Sequence, residues 1–421
     1  MESFFYRDNE LRCEEVRVAD IASRVGTPAY VYSRASVRNH CAWFENSLGE
    51  IPHLSCYAVK ANAGRPILAE IARAGLGADV GSYGELHLAL RAGFDPAKIT
   101  FSGVGKRDDE IEFALGAGIH SLNVESAEEL QAVDGAAARL GVRARVLLRV
   151  NPGIDAPTHS YMATGSRATK FGIAEGEIRE IVAAGARYPH VTFAGLHSHI
   201  GSQIVTPGSF SAAARGLVRF FRELNGRGAG LEMINIGGGF GVQYRNYLSH
   251  PLLPADPDAG DEGVTTAGLI AEILPDLRAA GVPVLLQPGR SIVAHSGILL
   301  SKVLYIKHNE KKFVVVDAGM NDMLRPSLYR SWHQIVPLRL TQGGAEAADV
   351  VGPLCETADT LGEERILPGL RRGDLLALLC AGAYGSVLSS NYTMRLRPAE
   401  VIVDGDRFEI FRPRETVEDL A

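Results

Sequence analysis

A chain of 421 residues with 46% apolar and 22% charged side chains has the composition of a globular protein, and its length favours two domains. The formal net charge of -6 is spread along the sequence, which excludes a basic nucleic-acid footprint, and no stretch has the apolar length of a membrane span. The N-terminal MESFFYRDNELRCEE carries acidic residues where a secretory signal needs a basic start and an apolar run, so a cytoplasmic protein is expected.

From residue 34 to residue 283, short apolar runs alternate with longer Ala-, Glu- and Leu-rich stretches of helical periodicity. Candidate strands fall at 54–59, 77–80, 99–102, 119–124, 144–150, 193–198, 232–236 and 283–287, with amphipathic helices such as 64–74, 83–92, 107–117, 126–140 and 175–187 between them. This alternation implies parallel pairing. A doubly wound open sheet would satisfy it, but eight units in about 250 residues favour a closed (β/α)8 barrel, TIM-like in architecture.

After 287 the helical periodicity fades. Extended segments at 298–306, 312–317, 335–340, 374–379, 399–403 and 407–411, punctuated by Gly, Pro and Asp, read as a second, mostly antiparallel β domain. The first 33 residues, with YVYS at 30–33, are expected to complete it, giving domains of 34–283 and of 1–33 with 284–421. The loop at 249–264 reads as an insertion.

Five cysteines (Cys13, Cys41, Cys56, Cys355, Cys380) are an odd number at wide spacing, so no disulfide framework is expected. The sequence has no CxxC or HExxH, and no metal site is expected. His197 and His199 alternate on one strand and would face one side, but no third ligand accompanies them.

Barrel chemistry sits at the carboxyl ends of the strands. Those ends carry Lys60, Asp79, Glu125, Arg149, Asn151, His197, His199, the glycines 237–239, Gln287 and Arg290. A lysine that follows an apolar strand is expected to be partly desolvated, which frees its neutral amine for Schiff-base chemistry; the alternative is a lysine that merely snorkels from a strand end. Gly237-Gly238-Gly239 lets backbone amides approach an anion, in the barrel region where phosphates bind. The spacing does not match GxGxxG, and a purely conformational tight turn is the rival reading.

Ten motifs in order carry a resemblance: YAVKAN (57–62), FSGVGK (101–106), NVES (123–126), THSYMATG with KFGI (158–173), HSHIGSQ (197–203), GGGFG (237–241), PGRS (288–291), DAGMNDMLRPSLY (317–329), GPLCETAD (352–359) and GAYG with SSNY (382–392). From about residue 25 to 405 the chain resembles the meso-diaminopimelate decarboxylases, within the fold-type III (alanine-racemase-like) pyridoxal-phosphate enzymes. The resemblance implies pyridoxal 5'-phosphate as cofactor, with Lys60 as its covalent anchor and a later proton carrier, and His199 stacked on its ring. It makes Ser202, Gly238 and Gly239 phosphate positions, with Tyr384 nearby, and extends the cofactor contacts to Asp79, Gln287, Gly289 and Arg290. Arg290, Arg325 and Tyr329, with Tyr384 beside them, look like the group that takes the substrate's distal carboxylate, a task suited to planar guanidinium forks. Cys355, a proton-donor candidate, and Glu356, a site for the distal ammonium, resemble a pair contributed by a partner subunit, which implies a homodimer. The partners expected are this small amino acid and a second copy of the chain, with neither nucleic acid nor membrane.

Three positions depart from the family pattern. Gln287 stands where a glutamate usually meets the cofactor's ring nitrogen; it could donate to an unprotonated nitrogen, and a weaker electron sink or an altered reaction, such as racemisation, follows as the alternative. Cys380 replaces an aspartate, and Tyr83 adds bulk near the exit of the second strand.

Overall fold

The computed structural model describes residues 3–153, 159, 162, 164–166, 168–206, 208–254, 265–342 and 344–421. Its residues form two compact units, Cys41–Val242 with Gly263–Ser291, and Met1–His40 with Gln243–Glu262 and Ile292–Ala421.

The first unit is a closed barrel of eight strands: β1 His53–Ala58, β2 Gly77–Val80, β3 Ile99–Phe101, β4 Ser121–Val124, β5 Ala144–Arg149, β6 Val191–His197, β7 Met233–Asn235 and β8 Val284–Leu286. Neighbours pair in parallel, and β8 returns to β1 with Val284 opposite His53 and Leu286 opposite Ser55. The sequence alternation therefore resolves to the barrel and not to the open sheet. Cys56, Leu147, Ala194, Met233 and Leu285 form an apolar cluster inside this unit. Helix starts follow from capping chemistry. Ser82 accepts the Glu85 amide at the head of Tyr83–Ala92, and Ser126 accepts the Glu129 amide at the head of Ala127–Leu140. Both helices end on left-handed glycines, Gly93 and Gly141, as C-terminal caps require.

The second unit holds a nine-stranded sheet whose main path runs Thr360–Pro368, Ala345–Val351, Lys312–Val316, Gly297–His308, Ala29–Ser33, Ala399–Asp404 and Arg407–Arg412. Leu375–Leu378 branches from Gly297–His308 and pairs with Ile335–Pro337. The sheet is mostly antiparallel, with parallel pairing where Ala29–Ser33 meets Ala399–Asp404 and where Lys312–Val316 meets Ala345–Val351. Phe4–Arg7, Glu10–Cys13 and Val16–Arg17 form a separate small sheet.

Two strands were absent from the sequence expectation, Ala345–Val351 and Thr360–Pro368. Their AEAADVV and GEER stretches are poor in β-branched residues, and bulges at 348–351 break the alternation that would have marked them. Of the expected 249–264 insertion, residues 255–264 lie outside the described residues. Among the described residues, no helix is long and apolar enough to cross a membrane.

Candidate active site

β1 runs into a single 3-10 turn, Val59–Ala61, in which both apolar residues are buried and Lys60 between them is exposed. The expected desolvation of the amine is therefore not provided by the protein alone, because the strand end opens outward. Lys60 still belongs to the polar ring. After the effect of burial, its charge is the leading influence on both Asp79 and His199, which places the three groups in one electrostatic neighbourhood. A second lysine near the strand ends is differently placed. Lys106 is sealed from solvent, and its Nζ donates to Gly103 O, Asn123 O and Glu129 Oε1 at 2.6–2.7 Å. A lysine held by three acceptors is no nucleophile; Lys60 has none of those bonds.

Two residues beyond β6, His199 accepts the Gly238 amide on Nδ1 at 3.2 Å. The acceptor role fixes the neutral tautomer with its proton on Nε2, and burial, then the Lys60 and Arg149 charges, hold its pKa well below the usual histidine range. The glycine turn after β7 is sterically obligatory. A Cβ on Gly238 would overlap the Gln287 carbonyl, and one on Gly239 would overlap the Gly201 carbonyl. Gly237 and Gly239 also take positive φ, at 70° and 102°. Beside this turn Arg290 Nη2 donates to Ser202 Oγ at 3.0 Å, and a Cβ on Gly289 would press on Ala58 and Ala61 at 3.1 Å. An exposed amine, a neutral ring and a side-chain-free cup flanked by a hydroxyl and a guanidinium fit a flat phosphorylated aldehyde.

Gln287 and Asp79 meet over β1, the strand between theirs. Gln287 Nε2 donates to Asp79 Oδ1 at 2.9 Å and to Ser102 Oγ at 3.2 Å, and Asn123 Nδ2 donates to Ser102 Oγ at 2.8 Å. Both amide hydrogens of Gln287 are thus directed at the barrel wall, which corrects the expectation that they donate to an unprotonated ring nitrogen. The side-chain oxygen is what the amide has left to offer. Burial raises the Asp79 carboxyl, opposed by Lys60 and by the Ser102 hydroxyl.

Three residues of the predicted ring serve structure instead. Arg149 and Glu125 form a buried ion pair, Glu125 also accepts the Gly172 amide at 2.8 Å, and the Arg149 guanidinium lies 4.6 Å from the Phe171 ring centre. Asn151 donates to the carbonyls of Ser166 and Phe171. Together they hold the chain around Phe171 and Gly172 to the end of β5. Tyr83 likewise does not crowd the strand exit. It starts a helix and packs its ring on Phe113 at 4.6 Å, 42% exposed. His197 is the reverse case, with a ring 1% exposed and neither nitrogen partnered. Among the described residues no group of three or more His, Cys, Asp or Glu could hold a metal ion.

Burial, then the Arg149 charge, keeps His197 neutral, whereas an unfolded chain protonates it below about pH 6.5. A depressed folded pKa contributes stability above 6.5 that is lost as the pH falls. We expect the unfolding free energy to drop by about 2 kcal/mol more in the wild type than in His197→Gln between pH 7 and 5, at ~1.4 kcal/mol per pH unit. Equal pH slopes in denaturant titrations would contradict this.

The remaining expected residues belong to the second unit. Arg325 is 2% exposed at the head of the short helix Arg325–Tyr329. Its Nη1 shares a 2.7 Å hydrogen bond with His333 Nε2, its Nη2 donates to Ser331 Oγ at 3.3 Å, and its guanidinium lies 4.8 Å from the Tyr244 ring centre. Cys355 and Glu356 sit on an exposed loop, Tyr329 ends the helix, and Tyr384 takes a positive φ of 56°. Cys380 is buried with its Sγ 3.9 Å from the Gln243 carbonyl.

Sequence reasoning passed over Ser102 and Asn123 inside quoted motifs, because uncharged residues in or just after strands carry no chemical flag. It also missed His333 and Tyr244, which become visible only once the Arg325 helix is folded.

Residues 34–294 match the family model described as pyridoxal-dependent decarboxylase, pyridoxal binding domain. The chain is similar over its full length to the diaminopimelate decarboxylases of Pseudomonas aeruginosa and Vibrio cholerae, at 45% and 43% identity, covering 98% of each relative. The crystal structure of the Helicobacter pylori diaminopimelate decarboxylase complexed with L-lysine superposes with a TM-score of 0.88 at 38% identity, over 96% of this chain and 98% of that one.

Proposed function

The chain belongs to the diaminopimelate decarboxylases, fold-type III pyridoxal-dependent enzymes, and on that premise we propose that it converts meso-2,6-diaminopimelate to L-lysine and CO2, the last step of lysine biosynthesis. The observation that carries the reading is the barrel mouth, where one unpinned amine, Lys60, shares its surroundings with a neutral His199 and a glycine turn that admits no side chain. Pyridoxal 5'-phosphate bound there supplies an aldehyde for amines and a ring that takes up the electron pair freed when a carboxylate leaves as CO2.

In this reading the protein's residues divide the work. Lys60 anchors the cofactor and afterwards carries a proton. Ser202, Gly238 and Gly239 hold the phosphate, with Gly289, Arg290 and Tyr384 around it, and the His199 face supports the ring. Asp79 and Ser102 hold the Gln287 amide group, which would leave its carbonyl oxygen as the acceptor it could offer to the bound ring. A neutral amide supplies no charge to hold a proton on that nitrogen, so the sink is weaker than a glutamate would make it, and the retained Cys355–Glu356 segment is what speaks against the racemase alternative. Arg290, Arg325 and Tyr329 take the distal carboxylate, Glu356 the distal ammonium, and Cys355 Sγ–H delivers the proton to the α-carbon. Cys355 and Glu356 act in the partner's site, so the working form is a homodimer, in the cytoplasm. The test is product formation: purified protein given pyridoxal 5'-phosphate and meso-diaminopimelate should release CO2 and L-lysine in equal amounts, and no release would overturn the reading.

Gln287→Glu separates a tuned site from a damaged one. The substitution sets a second carboxylate against buried Asp79, so one of the two must keep a proton and its folded pKa rises. A raised folded pKa gives stability that is present at low pH and lost as the pH rises through it. We expect the variant to be destabilised by about 2 kcal/mol at pH 8, with the loss shrinking towards pH 5, and turnover not to increase. A pH-independent melting temperature, or faster turnover, would contradict the Asp79–Gln287 assignment.

A further inference from the structure

Two loops of the second unit carry the residues given above to the substrate. The segment 317–325 leads from the strand Lys312–Val316 to Arg325, and the segment 352–359, with Cys355 and Glu356, joins the strands Ala345–Val351 and Thr360–Pro368. Neither has strand pairing over these residues; 317–325 is held by Asp317, which accepts from Ser301 and the Lys302 amide, and by Asp322, which accepts the Gly319 amide, but these ties do not reach the 352–359 loop. Asp359, 3% exposed, sits between them. Its Oδ1 accepts the Met320 amide at 2.6 Å and its Oδ2 accepts the Leu354 amide at 2.7 Å, one oxygen to each loop. Both loops are shaped to admit this carboxylate. A Cβ on Gly319 would lie 2.9 Å from Oδ1 and 3.1 Å from Oδ2, and a Cβ on Gly352 would overlap both oxygens. A second tie runs in parallel, since Ser327, on the Arg325 helix, donates to the Ala358 carbonyl at 2.6 Å.

We propose that Asp359 is a positioning residue that clamps the Arg325 segment and the Cys355–Glu356 loop to one carboxylate, so that neither shifts without the other. The clamp rests on the reading above for what Arg325, Cys355 and Glu356 do. If Arg325 serves its own protomer's site and the Cys355–Glu356 loop the partner's, one buried carboxylate ties together groups that work in two different active sites. Charge-assisted acceptance of a backbone amide is among the stronger protein hydrogen bonds. An amide side chain cannot replace it, because an asparagine offers one oxygen and turns an N–H towards the other donor.

The test uses the enzyme loaded with pyridoxal 5'-phosphate. In Asp359→Asn, hydrogen exchange in peptides covering 317–325 and 352–359 should accelerate together, by about tenfold or more, while barrel peptides keep their protection. With meso-diaminopimelate, KM should rise through Arg325 and Glu356 and kcat should fall through Cys355, lowering kcat/KM by about tenfold to a hundredfold with the cofactor's visible band retained. A residue that merely braced its own loop would loosen 352–359 alone and spare the Arg325 segment. That result, or unchanged exchange in both loops, overturns the clamp. Should Asp359→Asn fail to fold, Gly352→Ala, which drives a methyl group into the carboxylate without touching its charge, is read in the same way. The exchange measurement needs no turnover: joint loosening in the variant beside a wild type that releases no CO2 keeps the clamp and removes the functional reading, and independent loosening beside an active wild type does the reverse.

Discussion

Lys60→Ala is expected to abolish the visible absorption of the bound cofactor and to lower CO2 release from meso-diaminopimelate by about three orders of magnitude or more, as loss of a covalent anchor does. No neighbouring lysine can take over. Lys106, the second lysine near the strand ends, is sealed from solvent and held by Gly103, Asn123 and Glu129, so freeing it would strand a buried carboxylate. Lys98 donates to the Gly75 carbonyl, near the amino end of β2 and away from the carboxyl ends where the polar ring lies. Because Lys60 is exposed and makes no structural hydrogen bond, its loss should leave thermal stability within about 0.5 kcal/mol of wild type, as for other exposed surface changes. An absorption spectrum and a melting curve on one preparation check both halves. A variant that keeps the band would remove Lys60 from the chemistry.

The second large effect concerns substrate choice. Ornithine and arginine carry the distal ammonium or guanidinium but no distal carboxylate. A site built to hydrogen-bond a group rejects analogues that lack it by factors of about 10⁴. We expect kcat/KM for meso-diaminopimelate to exceed that for ornithine and arginine by about a thousandfold or more. Arg325→Leu should lower the diaminopimelate value by about a hundredfold or more, the cost of losing one partner of a buried charge pair, while changing the already poor ornithine value little. Arg325→Lys should not restore it, since Arg325 uses separate nitrogens for His333 and Ser331 and lays its plane near Tyr244. A lysine offers a point charge in place of that fork. Equal rates on the three substrates, or full rescue by lysine, would reject the assignment of Arg325.

What the sequence disclosed follows from which signals are local. The barrel was legible because each strand is an apolar run flanked by a helix with its own caps, such as Ser82 and Gly93 around Tyr83–Ala92. The strands Ala345–Val351 and Thr360–Pro368 were not, because their extended form comes from pairing with each other across bulges and not from their own composition. Among site residues, charged side chains at strand ends could be named in advance, but their duties could not. Glu125, Arg149 and Asn151 have the same appearance in sequence as Asp79 and His199. Only folding shows that they fasten the chain around Phe171 and Gly172, while Asp79 and His199 share the neighbourhood of Lys60. The orientation of Gln287 was likewise out of reach, since it depends on Asp79 and Ser102, far away in the chain.

Borohydride reduction of the cofactor-loaded enzyme, followed by peptide mass mapping, tests the central assignment most directly, because it makes the bond between amine and aldehyde permanent. The predicted result is a pyridoxyl phosphate label on the peptide containing Lys60 and on no other. A label on Lys106 or any other lysine, or no label in a preparation that decarboxylates meso-diaminopimelate, would contradict it.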